Sequence, residues 1–157
     1  MRHGFGLPQV LLIILFVGGI VTVTMRYASL GAQHYADSYT REQAELFLQS
    51  ATEAALLRIS SYDRNITKDC VKNINVTLPS LRDNNTLFNA SITINRYYLY
   101  NGLDNNDVNL TACDRIVSIQ TPESHGMIDM TVIVESNNTN PQILHPIRLE
   151  RRSLQRP

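Results

Sequence analysis

Apolar residues form an almost unbroken run near the start of the chain, from Leu7 to Met25. A helix of nineteen residues is about 28 Å long, which is close to the thickness of the hydrocarbon core of a bilayer. The pattern therefore predicts a transmembrane helix over about residues 7–25. A cleaved secretory signal is the alternative, with a weak small-residue cleavage site at Ala28–Ala32 and a soluble secreted product.

Small and apolar residues continue beyond this run, from Ala28 to Ile59, mostly three and four positions apart, and charged residues lie between them. This spacing is typical of an amphipathic helix. No proline or glycine interrupts the pattern between Ala32 and Arg58. The two patterns together predict one helix from Pro8 to about Ser60, with its first half in a membrane and its second half packed on the rest of the chain.

The remaining residues, 61–157, alternate between β-branched segments and Asn-rich turns, which is typical of strands and loops. The first of the predicted strands is expected at a sheet edge because it ends at Pro79. One long helix followed by several strands predicts an α+β fold with a small antiparallel sheet. The predicted strands are Lys72–Leu78, Leu87–Tyr100, Arg115–Thr121, Met127–Glu135 and Ile143–Glu150.

The segment from Gly4 to Ile13, Gly-Phe-Gly-Leu-Pro-Gln-Val-Leu-Leu-Ile, resembles the N-terminus of type IV pilins and of the pseudopilins of type II secretion and DNA-uptake machines. In these families a short basic leader ends in Gly, and a prepilin peptidase cuts before a Phe whose new amino group is methylated. The resemblance implies a leader of residues 1–4, cleavage between Gly4 and Phe5, a long helix over 5–60 and an extracytoplasmic β-rich head over 61–157.

Gln9 departs from the family pattern, which usually has Glu at this position to pair with the terminal amine of a neighbouring subunit. Gln still hydrogen-bonds an ammonium group, but without a charge the interaction is much weaker in a low dielectric. Minor, tip-located subunits of the families sometimes lack this Glu. The departure favours a minor or initiating subunit, and it leaves open a pilin-like protein that does not polymerise.

The resemblance also implies location and partners. The chain is expected to cross a bacterial inner membrane once, with its N-terminus cytoplasmic and its head in the periplasm or in a filament. The expected partners are the membrane, other pilin-like subunits, assembly-platform proteins and the prepilin peptidase.

Charge and composition narrow the function. Formal net charge is zero, with 14 basic and 14 acidic side chains, so direct binding of nucleic acid is not expected. The sequence has neither a Gly-rich phosphate loop nor a nucleophile motif. We therefore expect no enzyme activity, no cofactor and no small-molecule substrate. The histidines are scattered without the spacing of metal ligands, at His3, His34, His125 and His145.

The two cysteines, Cys70 and Cys113, both lie in the head. An even number of cysteines in an exported domain predicts a disulfide, and two unrelated buried thiols are the alternative. Closing a loop of this length would stabilise the head by roughly 4 kcal/mol in the chain-entropy model.

Asn-x-Ser/Thr sequons are in excess: six occur, where random placement of the same residues predicts about two. Three of them, at Asn65, Asn109 and Asn137, carry an acid two residues before the Asn and lie in predicted loops. This looks like the extended acceptor of bacterial periplasmic N-glycosylation, so these three are the glycosylation candidates. The alternative is that Asn and Thr serve only as turn and strand residues. The other sequons begin at Asn75, Asn84 and Asn89.

Two functional hypotheses remain. The first is a structural minor pilin-like or pseudopilin subunit of a type IV pilus, type II secretion or competence assembly. The second is an uncleaved, single-pass, membrane-anchored interaction protein whose head binds a periplasmic partner. The mature N-terminus distinguishes them.

Overall fold

The longest element, helix α1, runs without interruption from Leu7 to Ser60, one residue longer at its start than predicted. Pro8 lies in its first turn, where a missing N–H breaks no helical hydrogen bond. At the other end the carbonyl oxygen of Leu57 accepts hydrogen bonds from the Ser60 hydroxyl at 2.9 Å and from the backbone N–H of Ser61 at 3.1 Å. The computed structural model describes residues 6–62, 69–81, 85–101 and 113–157.

The chain divides into two compact units, Met1–Tyr39 and Thr40–Pro157. In the second unit, α1 buries one face in the core. The small-residue face predicted from the sequence is buried only from Ala44 onward. The small side chains before it, such as Ala28 and Ala36, are exposed. The buried residues of α1 are Ala44, Phe47, Leu48, Ala51, Ala55 and Ile59.

The rest of the second unit forms a five-stranded sheet with the strand order β1-β2-β4-β5, and β3 pairs with β2. All pairs along this path are antiparallel, which confirms the predicted α+β class. A short 3-10 helix, Pro122–Ser124, precedes β4. The strands are β1 (Asn73–Pro79), β2 (Thr86–Tyr100), β3 (Ile116–Ile119), β4 (Met127–Ser136) and β5 (Arg148–Gln155).

Alternation along the strands gives the sheet one buried face and one outer face. The buried face packs against α1, where the rings of Phe47 and Phe88 stack at 6.3 Å between centroids. The opposite side of the sheet is called the outer face. Its residues are mostly polar, and along each strand they alternate with the core positions. The core positions of the sheet include Ile74, Ala90, Ile92, Ile94, Met130, Val132 and Val134.

Three strands match their predicted ranges to within one residue at each end, and the other two differ more. The segment predicted as Arg115–Thr121 forms only the four residues of β3, and it runs parallel to β2, a pairing that alternation does not reveal. The predicted return strand over Ile143–Glu150 was wrong in position, since β5 begins at Arg148. Pro146 has no N–H to donate to a ladder, so the alternating residues before it pack as a loop.

Candidate functional site

The first candidate surface is the apolar part of α1, from Val10 to Met25. Its large side chains are exposed, including Leu15 at 73% and Phe16 at 75%. The helix is long and apolar enough to cross a membrane, by its length and composition. An exposed apolar surface of this extent is unfavourable in water and is typical of segments that contact lipid or other apolar groups.

The polar side chains late in this segment are satisfied within the helix itself. The Thr22 hydroxyl donates to the carbonyl oxygens of Gly18 and Gly19 at 3.1 and 2.8 Å. The Thr24 hydroxyl donates to the carbonyl oxygen of Val21 at 2.9 Å. Hydroxyls that bond back to the preceding turn do not need water, so both residues are compatible with hydrocarbon surroundings.

Gln9 lies in the first turn of α1, and its backbone N–H donates to the carbonyl oxygen of Gly6 at 2.9 Å. Its side chain is exposed and makes no hydrogen bond with the residues that the structure describes. The predicted cleavage position between Gly4 and Phe5 lies outside the described residues, so the prediction for that site stands as it was made.

The predicted disulfide is confirmed: Cys70 and Cys113 are bonded, with their Cα atoms 5.8 Å apart. Cys70 is buried and belongs to the hydrophobic core. The bond joins the segment before β1 to the segment before β3, which are 43 residues apart in sequence.

Hydrogen bonds reinforce the region around the disulfide. The Tyr97 hydroxyl donates to the carbonyl oxygen of Val71 at 2.6 Å, and the Arg115 guanidinium donates to the carbonyl oxygens of Lys72 and Ile94. Next to Cys113, the Asp114 carboxylate lies 3.1 Å from the Lys72 ammonium. The hydrogen bond and charge of Lys72 hold the pKa of Asp114 below its usual range.

Asn137 is the one acid-preceded sequon within the described residues, and its side-chain amide makes hydrogen bonds within the fold. Its amide nitrogen donates to the carbonyl oxygen of Thr86 at 3.1 Å. Its amide oxygen accepts hydrogen bonds from the backbone N–H and the hydroxyl of Thr139 at 3.1 and 2.8 Å. This is an Asx turn that fixes the connection between β4 and β5. The predicted sites Asn65 and Asn109 lie outside the described residues.

Two sequons that the sequence did not favour, at Asn75 on β1 and at Asn89 on β2, lie on the outer face. Both Asn side chains are exposed and make no hydrogen bond with other described residues. Their strands are direct neighbours, with Thr77 opposite Asn89 and Ser91 opposite Asn75. The two acceptor motifs therefore lie side by side.

An ion pair on the outer face was also missed by the sequence analysis. The carboxylate of Asp129 on β4 is buried, and it accepts hydrogen bonds from the Arg152 guanidinium at 3.0 and 2.6 Å. The amide nitrogen of Asn95 lies 3.4 Å from the same carboxylate. These bonds, led by that from Arg152, lower the pKa of Asp129 despite its burial. Only the register of β4 with β5 brings the two residues together.

The histidines within the described residues, His34, His125 and His145, lie in different segments of the chain. His34 is exposed on α1, and His125 accepts a hydrogen bond at Nδ1 from the backbone N–H of Tyr100 at 3.0 Å. Across the ranges that the structure describes, no group of three or more His, Cys, Asp or Glu side chains could hold a metal ion.

Comparisons with protein-family models, with curated proteins and with solved structures gave no match. The resemblance to pilin-like proteins rests on the segment that begins at Gly4 and on the layout of a long helix followed by a sheet, and it stays a prediction.

Proposed function

We propose that this chain is a structural, pilin-like subunit of a membrane-assembled machine, of the minor pilin or pseudopilin type. The observation that carries the proposal is the uninterrupted helix of 54 residues, with an exposed apolar beginning and a final part that enters the core of a sheet. A helix of this kind contains both a stretch able to span a membrane and a stretch that belongs to the core of a folded unit.

The exposed apolar surface supports a role in assembly. In a bilayer, lipid covers this surface, and in a filament the same surface would be covered by equivalent helices. Because Thr22 and Thr24 bond back to their own helix, neither environment leaves their hydroxyls unpaired. The subunit would therefore move between the two environments without exposing polar groups.

The disulfide supports an extracytoplasmic position for the head, because disulfides persist in oxidising compartments. In the proposed topology the N-terminus is cytoplasmic and the sheet lies outside the bacterial inner membrane. The machine would be a type IV pilus, a type II secretion system or a DNA-uptake assembly, with other pilin-like subunits, assembly-platform proteins and a prepilin peptidase as partners.

Gln9 favours a second candidate, an uncleaved anchored protein whose head binds a periplasmic partner. A neutral amide gives less attraction to a neighbouring terminal ammonium than a carboxylate would. In that case the exposed apolar surface of α1 would serve only as an anchor.

The intact mass and N-terminal peptide of the chain purified from its native membranes test the proposal. We expect a chain that starts at Phe5 with one added methyl group. The variant Gly4→Leu should retain Met1, whereas Gly31→Ala, a glycine with no neighbouring atom within 4 Å of an added Cβ, should be processed normally. A native chain that starts at Met1 would overturn the pilin-like role and favour the anchored protein.

A further inference from the structure

The outer face presents two neighbouring acceptor motifs for N-linked glycans. Asn75-Val76-Thr77 and Asn89-Ala90-Ser91 run antiparallel, so that each Asn lies opposite the hydroxyl residue of the other motif. In each motif the Asn and the hydroxyl residue are two positions apart on a strand, so both side chains lie on the same face. All four of these side chains are exposed.

The fold makes the sequon at Asn137, which the sequence favoured, hard to modify. The Asn137 amide nitrogen, which a transferase would have to modify, is half-buried and donates to the carbonyl oxygen of Thr86. Asn140 is 2% exposed and donates to the same oxygen at 3.3 Å. A glycan on Asn137 would replace one hydrogen of its amide nitrogen and place bulk in this turn, so the native connection between β4 and β5 disfavours it.

The acid before Asn137 has another explanation in the fold. The Glu135 carboxylate accepts a hydrogen bond at 2.7 Å from the Arg148 guanidinium, its partner across β4 and β5. An opposite-charge pair directly across two strands stabilises their register. Strand pairing alone therefore accounts for an acid at this position.

We propose that Asn75 and Asn89 are acceptors of N-linked glycans and that Asn137 stays unmodified. Asn73 and Leu87 stand two residues before the two acceptors, so the transferase would be one that recognises Asn-x-Ser/Thr without a preceding acid. The amide nitrogen of each acceptor would attack the anomeric carbon of a glycan held on a lipid-linked phosphate. The bond from that carbon to the phosphate oxygen breaks, a carbon–nitrogen bond forms, the amide loses one proton to a base of the transferase, and the lipid phosphate leaves. The inference rests on the proposed function only in requiring an exported head.

The surroundings of the two acceptors leave room for the attached sugar. Asn75, Asn89 and Ile133 line an open groove of about 530 Å³ on the outer face, together with the Glu135–Arg148 pair. β1 is an edge strand, and it pairs only with β2 among the described strands. Polar bulk on Asn75 would shield this edge from pairing with another chain.

Residue-resolved mass spectrometry of the native protein tests the assignment. Trypsin releases residues 73–82, in which Asn75 is followed by a hydroxyl residue two positions on and Asn73 is not. We expect glycan mass on Asn75 and on Asn89, and none on Asn137. Asn75→Gln and Thr77→Val should each remove the glycan from peptide 73–82. Asn73→Gln, a change at an exposed position of the same strand, should retain it.

The oxidation state of Cys70 and Cys113, read by alkylation in the same sample, separates the possible failures. Unmodified Asn75 and Asn89 in an oxidised chain would overturn the acceptor role and leave the proposed function standing. A glycan on Asn137 would overturn the inference that the fold keeps this sequon unmodified. Reduced cysteines in the native chain would contradict an exported head and would overturn both proposals.

Discussion

At the scale of single residues, Asp129 illustrates how a buried charge is kept on the outer face of the sheet. The residue is 6% exposed, yet the bonds from Arg152 and Asn95 hold its pKa below the usual 3.8. An Asp with a lowered folded-state pKa stabilises the fold above its unfolded-state pKa. That stabilisation is present at neutral pH and is lost as the pH falls below about 4 toward the folded-state pKa.

Replacing the Asp129 carboxylate should therefore lower the free energy of unfolding by an amount that depends on pH. We expect Asp129→Asn to lower the free energy of unfolding by about 1–2 kcal/mol near neutral pH, the lower part of the range for charged hydrogen bonds because the Arg152 side chain is 68% exposed. The difference from wild type should shrink at about pH 3. Urea unfolding of the full chain in detergent micelles, followed by tyrosine fluorescence, measures it.

The matched control is Glu135→Gln, at the outer-face pair with Arg148. Both side chains of that pair are more than half exposed, at 54% and 60%, so the expected loss is below about 1 kcal/mol. Equal losses in the two variants, or a loss in Asp129→Asn that is independent of pH, would contradict this account of Asp129.

At the scale of elements, the packing of α1 on the sheet depends on small side chains. Ala51 and Ala55 are 1% and 0% exposed, so α1 presents small side chains to the core at these two positions. We expect Ala55→Leu to lower the free energy of unfolding by about 1–3 kcal/mol through overpacking. Ala54→Leu, at the exposed neighbouring position, should change it by less than about 0.5 kcal/mol.

The two variants have the same change in helix propensity, so their difference isolates packing. Urea unfolding midpoints of the full chain in detergent measure it. If Ala54→Leu were as destabilising as Ala55→Leu, the assignment of Ala55 to the buried face of α1 and of Ala54 to its exposed face would be contradicted.

The same scale shows how far pattern alone predicts this fold. The extent of α1 followed from an apolar run continued by an amphipathic pattern, and the long strands β2 and β4 followed from the alternation of buried and outer positions. The start of β5 did not follow, because Ile143 and Ile147 pack against the core from a loop and imitate strand alternation. The hydrogen bonds of Asn137 were also not predictable, since sequence spacing does not reveal which side-chain amide the fold uses.

At the scale of the whole molecule, the disulfide connects two segments of the second unit that are distant in sequence. One of them leads directly into β3, the shortest strand. β3 has four residues and pairs only with β2 among the described strands. The backbone hydrogen bonds that flank it run from Tyr97 to Arg115 at 2.9 Å and from Asn101 to Ile119 at 3.1 Å. A strand of four residues with one neighbouring strand opens more readily than the central strands of a sheet.

Reduction should therefore release β3 before it affects the central strands. We expect reductant to remove roughly 4 kcal/mol of stability by the chain-entropy estimate and to abolish amide protection at Ile116–Ile119, while protection in β2 and β4 persists. Hydrogen exchange of the full chain in detergent micelles, read by mass spectrometry with and without reductant, measures both regions. A Cys70→Ser and Cys113→Ser double variant should resemble the reduced wild type and should not respond to reductant. Unchanged protection of β3 after complete reduction would mean that strand pairing and the Arg115 hydrogen bonds hold it without the disulfide.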